Sequence, residues 1–239
     1  MRRAAFNQGK PPVIACLNRA TVGLGVNFEA LIAAMQVYVT RYVAPVWGTP
    51  ATLVKASTYR QGAWAMVFVD DADVDGALAY HDLTPQGYPL SKVFVKTTLD
   101  NGELVSVSAS HELVEMLVDP AINMMSVGPD GNTMYAYESA DPCEALSFPV
   151  NGIPMSDFVY PAYFEAFRKP RSTRFDYLRA ISRPFQVLKG GYQIIFHDGQ
   201  WSQVFGSKAK ARQFHKEDRR GHRSEARCTQ CGGSRRGGY

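Results

Sequence analysis

Between Ser110 and Pro120 a histidine and two acids recur at every fourth position: His111, Glu115 and Asp119. On a helix this spacing puts all three on one face, where they could grip a metal ion. Glu112 stands one residue off that stripe, the position from which a helical metal-hydrolysis motif supplies its general base. The second member of the ligand pair is Glu115, where such motifs usually carry a second histidine.

A catalytic zinc site takes about three protein ligands and leaves one position for water, whose pKa the metal lowers to near neutrality. His111 and Glu115 supply two ligands, and Glu138 or Asp141 is the candidate for the third. Asp141 could instead orient His111 through its free ring nitrogen. Glu112 would take a proton from the water and return it to a leaving amine. Glu138 and Asp141 fall in an otherwise apolar and aromatic neighbourhood, where unpaired carboxylates are costly to bury and a cation would relieve the cost. With one imidazole and several carboxylates the donor set is rich in oxygen, so Ca2+, Mn2+ or Mg2+ competes with Zn2+. His81, within Ala79-Tyr-His-Asp82, is expected in a loop bordering the cleft. There it could bind substrate or polarise a carbonyl, a role open also to Tyr80 or Tyr137, or it could be a hydrogen-bonded structural histidine. His197, at a hairpin turn, is expected to face solvent.

These residues need elements to hold them. The pattern predicts a buried strand over 12–17 and a helix over 28–43, capped by Asn27 and closed by Pro45. Strands follow at 51–57 and 64–70, then a long loop at 71–89 and a strand at 92–97. The central helix is expected over 101–118, with Asp100 and Glu103 as a capping pair and Pro120 ending it. Segment 156–164 is strongly aromatic and is expected to pack beneath the site. Residues 191–196 and 201–205 flank an Asp198-Gly199 hairpin signal. The fold class is therefore α+β: a mixed β-sheet with a long active-site helix, a C-terminal β-hairpin and a basic tail. Residues 1–168 form the metal-binding domain, 169–206 the hairpin extension and 207–239 the tail.

A series of short motifs runs in order through the chain: Pro45-Val-Trp-Gly48, Gly76-Ala-Leu-Ala-Tyr-His-Asp82, Pro89-Leu-Ser-Lys-Val-Phe-Val95, Ser110-His-Glu-Leu-Val-Glu115, Asp119-Pro120, Glu138-Ser-Ala-Asp141 and Ser156-Asp-Phe-Val-Tyr-Pro161. This series, covering about residues 12 to 165, resembles an uncharacterised zincin-like family of bacterial and phage genomes. The resemblance implies a metallopeptidase-like fold with His111, Glu112, Glu115 and the 138–141 segment at the site. It points to a peptide or protein substrate cleaved at a peptide or amide bond.

Composition sets the remaining bounds. A hydrophobic fraction of 46% over 239 residues suffices for a substantial core. No apolar run reaches membrane-spanning length, and polar residues interrupt the start before a signal-peptide core could form. The expectation is a chain of the cytoplasm or a virion, with no membrane partner. Cys16 and Cys143 read as buried thiols. From Lys208 to Arg236, ten Lys or Arg against three acids give +7 within a chain of net charge +4, leaving −3 on the rest. Such a tail suits weak, nonspecific contact with nucleic acid. His215, His222, Cys228 and Cys231 within it could bind a structural zinc. A second functional reading makes the chain a catalytically inactive virion or assembly component, its tail meeting other virion proteins or nucleic acid.

Overall fold

Side chains along β1 (Val13–Asn18) alternate between two apolar clusters: Ile14 and Cys16 enter the main core, Ala15 and Leu17 a smaller one on the opposite face. A strand buried on both sides belongs in the middle of a sheet. In the computed structural model, which describes residues 10–73 and 77–214, β1 pairs in parallel with β2 (Thr52–Lys55) and β3 (Trp64–Val69). Antiparallel β4 (Ala79–Leu83) forms the far edge beside β5 (Pro89–Phe94), giving the order β2-β1-β3-β5-β4. The molecule is thus a mixed-sheet α+β protein. No described helix is long and apolar enough to cross a membrane.

Helix α1 (Phe28–Tyr38) starts as its sequence requires, Asn27 Oδ1 accepting from the Ala30 N–H at 2.9 Å. Pro45 does not close it. The chain passes through a π-helical turn (Val39–Val43) into α2 (Ala44–Trp47), where Pro45 occupies the first turn and needs no N–H, and it ends at left-handed Gly48.

The helix expected over 101–118 starts later, as α4 (Val105–Val118), and a separate helix, α3 (Val95–Asp100), precedes it. Two local features break the run. Gly102 adopts φ 75°, and Asp100 is held by Lys96 Nζ at 2.9 Å instead of capping α4, whose N-cap Leu104 offers no side-chain acceptor. The strand expected over 92–97 also stops early, because the N–H groups of Lys96 and Thr97 turn to the Asp70 carbonyl.

Every residue of α4 from Ala109 to Val118 is buried. The helix lies between β4 and β5 on one side and β9 (Ile153–Ser156) on the other. Ser110 fastens it there, its hydroxyl donating to the Ser106 carbonyl and accepting from the Ser156 N–H, each at 2.8 Å. Among the described residues β9 pairs with β8 (Ser147–Val150) alone.

A second sheet, ordered β11-β10-β7-β6, combines β6 (Met125–Val127) and β7 (Met134–Ala136) with the hairpin β10 (Tyr192–His197) and β11 (Gln200–Phe205). The Asp198-Gly199 turn has both residues left-handed, φ 47° and 77°, as its sequence signals. The hairpin of the 169–206 segment is no appendage, since β10 pairs with β7 and Gln193 Nε2 donates to the Ala136 carbonyl at 3.0 Å. Gly191 is required at its base: a Cβ there would fall 2.5 Å from the carbonyl oxygens of Asp141 and Pro142. Helix α5 (Lys208–Phe214) is held by Lys210 Nζ on Glu144 Oε2 at 2.7 Å. The zinc ligands expected at His215, His222, Cys228 and Cys231 lie outside the described residues, as does the rest of the basic tail.

Cys16 and Cys143 are buried free thiols, and burial pushes Cys16 up to about 12. Asp157 and Asp176 have no exposed surface. Asp157 Oδ1 accepts from the N–H groups of Phe158 and Leu178, while Oδ2 meets no donor and lies with the Asp176 carboxyl. Burial and then Asp176 raise Asp157 to about 8. Because the unfolded value is about 4, this proton's contribution to stability is complete below about pH 4 and is lost as pH rises to about 8. Asp157→Asn supplies the donor permanently, so its melting temperature should fall less between pH 5 and pH 9 than that of the wild type. Equal falls in calorimetry would exclude the shared proton.

Candidate metal centre

Three elements converge on one cavity. Helix α4 contributes Glu112 and Glu115, strand β4 contributes His81, and the segment after β7 contributes Glu138 and Asp141, while His111 of α4 lies against Glu115 and Asp141. Asp141 opens a 3-10 turn (Asp141–Cys143). All six side chains are buried, the most exposed being His81 at 8%.

His111 Nε2 lies 3.1 Å from Asp141 Oδ1 and 3.5 Å from Glu115 Oε2. His81 Nδ1 lies 3.1 Å from Glu112 Oε2 and 3.7 Å from Glu115 Oε2. On the other side of its ring, Nε2 is 3.9 Å from Glu138 Oε2 and has no hydrogen-bond partner. Glu115 Oε1 accepts from the N–H groups of Ala140 and Asp141, at 3.0 and 3.4 Å. These bonds stitch the helix to the 138–141 segment. The cavity measures about 60 Å³, and Ile122, Tyr192 and Ile194 give it an apolar wall.

No protein-family model, curated protein or solved structure matches the chain. The reading of this centre therefore rests on its own chemistry.

That chemistry suits a cation. Burial disfavours a charged imidazole at His81, yet the Glu112 hydrogen bond and the nearby carboxylates outweigh it and push His81 up to about 9. His111 moves up well beyond its ordinary value, burial again being outweighed, here by Glu115 and Asp141. Burial, with Glu115 adding, lifts Asp141 to about 8, and burial raises Glu115 also. Without a cation the cluster is balanced by protons. A divalent ion must displace them, so its apparent affinity should rise with pH up to about 9, by about tenfold per pH unit for each proton displaced. Chelator competition with Zn2+ between pH 6 and pH 9 measures this, and an affinity flat across that range would exclude proton displacement.

Of the residues singled out in the sequence, His111, Glu112, Glu115, Glu138 and Asp141 come together here. Asp119 does not join them. It leaves the helix at φ −126°, as Pro120 requires, and its carboxylate accepts from the N–H groups of Asn123 and Met124 at 3.0 and 2.9 Å, anchoring the turn. His81 sits in an edge strand, not in a bordering loop, and faces the centre directly. The alternation of buried Ala79 and His81 around half-exposed Tyr80 was its available signal. The Tyr80 hydroxyl donates to Asp73 Oδ2 at 3.2 Å, and the Tyr137 ring stacks on Phe164. His197 is at the hairpin, its Nδ1 2.9 Å from the Thr133 hydroxyl.

Proposed function

We propose that the protein is a metal-dependent hydrolase of peptide or amide bonds, organised like a zincin, with Glu112 as general base. The observation that carries this reading is one buried cluster of two imidazoles and four carboxylates, five of whose members line a common cavity, with Glu112 one turn of α4 before Glu115. His111, Glu115 and Asp141 would hold the cation. The chemistry it supplies when bound is Lewis acidity toward a carbonyl and an attacking water.

The chain's own residues account for the remainder. Glu112 would accept the proton of the attacking water and return it to the leaving amine, its Oε2 fixed by His81 Nδ1 at 3.1 Å. Burial of the six side chains, with Ile122, Tyr192 and Ile194 on the apolar wall of the cavity, strengthens each electrostatic contact among them. A cavity of about 60 Å³ admits a reacting group, not a whole peptide. The peptide would lie outside it, and β4 offers the means: an extended chain can add to an edge strand through main-chain hydrogen bonds, with His81 at its centre.

Removal of metal by a chelator should abolish hydrolysis of a fluorogenic peptide library, and Zn2+ or Mn2+ should restore it. Hydrolysis that survives exhaustive chelation would sink the proposal.

A further inference from the structure

Five side chains of the centre form two ligand groups with one member in common. His81, Glu112 and Glu115 form the first, and His111, Glu115 and Asp141 the second; within each group the donor atoms lie within 4.8 Å of one another. No such group among the described residues contains both imidazoles. Glu115 Oε2 faces both, 3.7 Å from His81 Nδ1 and 3.5 Å from His111 Nε2, while Oε1 is turned away and fixed by the Ala140 and Asp141 N–H groups. The shared element is therefore a single oxygen atom.

We propose that the centre binds two divalent cations bridged by Glu115, one held with His81 and Glu112 and the other with His111 and Asp141. This deepens the cation-dependent reading above and rests on it. Charge favours two ions. Glu112, Glu115, Glu138 and Asp141 bring four negative charges when ionised, and imidazole ligands are neutral. One divalent ion would leave half of that charge uncompensated in a buried site, whereas two balance it.

The unpartnered His81 Nε2 supplies an independent sign. A histidine bound to a cation through one nitrogen characteristically gives its other N–H to a carboxylate. Glu138 Oε2 stands 3.9 Å from this buried nitrogen, on the side opposite Glu112. Space is sufficient for the ion at His81 and Glu112. One water-sized occupant needs roughly 10–15 Å³, against a cavity of about 60 Å³. Glu112 would then ligate through Oε2 and keep its second oxygen for the proton.

Mn2+ is the probe, since oxygen-rich sites accept it and its pairing is visible by electron paramagnetic resonance. The full-length protein, saturated with Mn2+ and desalted, should retain two ions per chain by elemental analysis and show an exchange-coupled spectrum. His81→Ala and Glu112→Gln should each retain one ion and give the uncoupled spectrum. One ion per wild-type chain at saturation, or two without coupling, overturns the proposal. The wild-type count decides even if His81→Ala fails to fold. Two coupled ions without peptide hydrolysis would sink the hydrolase reading alone, and one ion with hydrolysis would sink the bridged pair alone.

Discussion

Glu112→Gln should lower peptide hydrolysis by about 10²- to 10⁴-fold, the range general bases contribute, while the cation at His111, Glu115 and Asp141 stays bound. The substitution is nearly isosteric, which matters at a position with 4% exposure. Gln keeps an oxygen that can accept from His81 Nδ1, so the contact between β4 and α4 survives. It cannot accept a proton from water. Parallel measurement of kcat/KM and of metal content separates the two effects. Activity within tenfold of the wild type would remove Glu112 as base, and loss of all metal would make it a ligand of the whole centre.

The second large effect is expected at Glu115, whose two oxygens do different work. Oε2 faces both imidazoles, and Oε1 satisfies two buried backbone N–H groups. Glu115→Ala leaves both N–H groups without an acceptor, at a cost of about 1–3 kcal/mol each, and opens a void in a helix buried on all sides. Glu115→Gln keeps the acceptor and removes a charge that burial already disfavours. Both substitutions should weaken cation binding by about 100-fold or more, beyond the 10- to 100-fold typical of losing an outer-shell partner. Only Ala should also destabilise the metal-free protein in denaturant titration. A Gln variant that binds the cation as tightly as the wild type would show that Glu115 is not a ligand.

Local signals were legible where local forces decide the structure. Asn27 announces α1 through a bond within its own turn, and Asp198-Gly199 announces its hairpin through backbone geometry. The four-residue spacing of His111 and Glu115 brings both to one centre because that stretch of α4 is helical. Partners distant in sequence decide the rest. β4 lies in a stretch rich in Asp, Pro and Gly, and it is a strand because β5 supplies its ladder, from Ala79 opposite Val93 to Leu83 opposite Pro89. The sequence around His81 alone therefore reads as a loop, and nothing local marks its imidazole as a second ligand. Asp119 shows the converse: its spacing matches the ligand stripe, but Pro120 bends the chain and gives the carboxylate two N–H groups to hold. The π-helical turn before Pro45 and the break at Gly102 are also invisible to a periodicity that assumes one continuous coil.

The missing side chain at Gly191 sets an order of events. Every candidate ligand of the buried centre precedes Gly191 in the chain, whereas Tyr192 and Ile194, which line the cavity, follow it, and Gly191 sets bare backbone against the carbonyls of Asp141 and Pro142. A nascent chain thus carries its donors open to solvent until its final hairpin docks. On the cation reading proposed above, a complete site would belong to the end of synthesis, after residues 192–194 are in place.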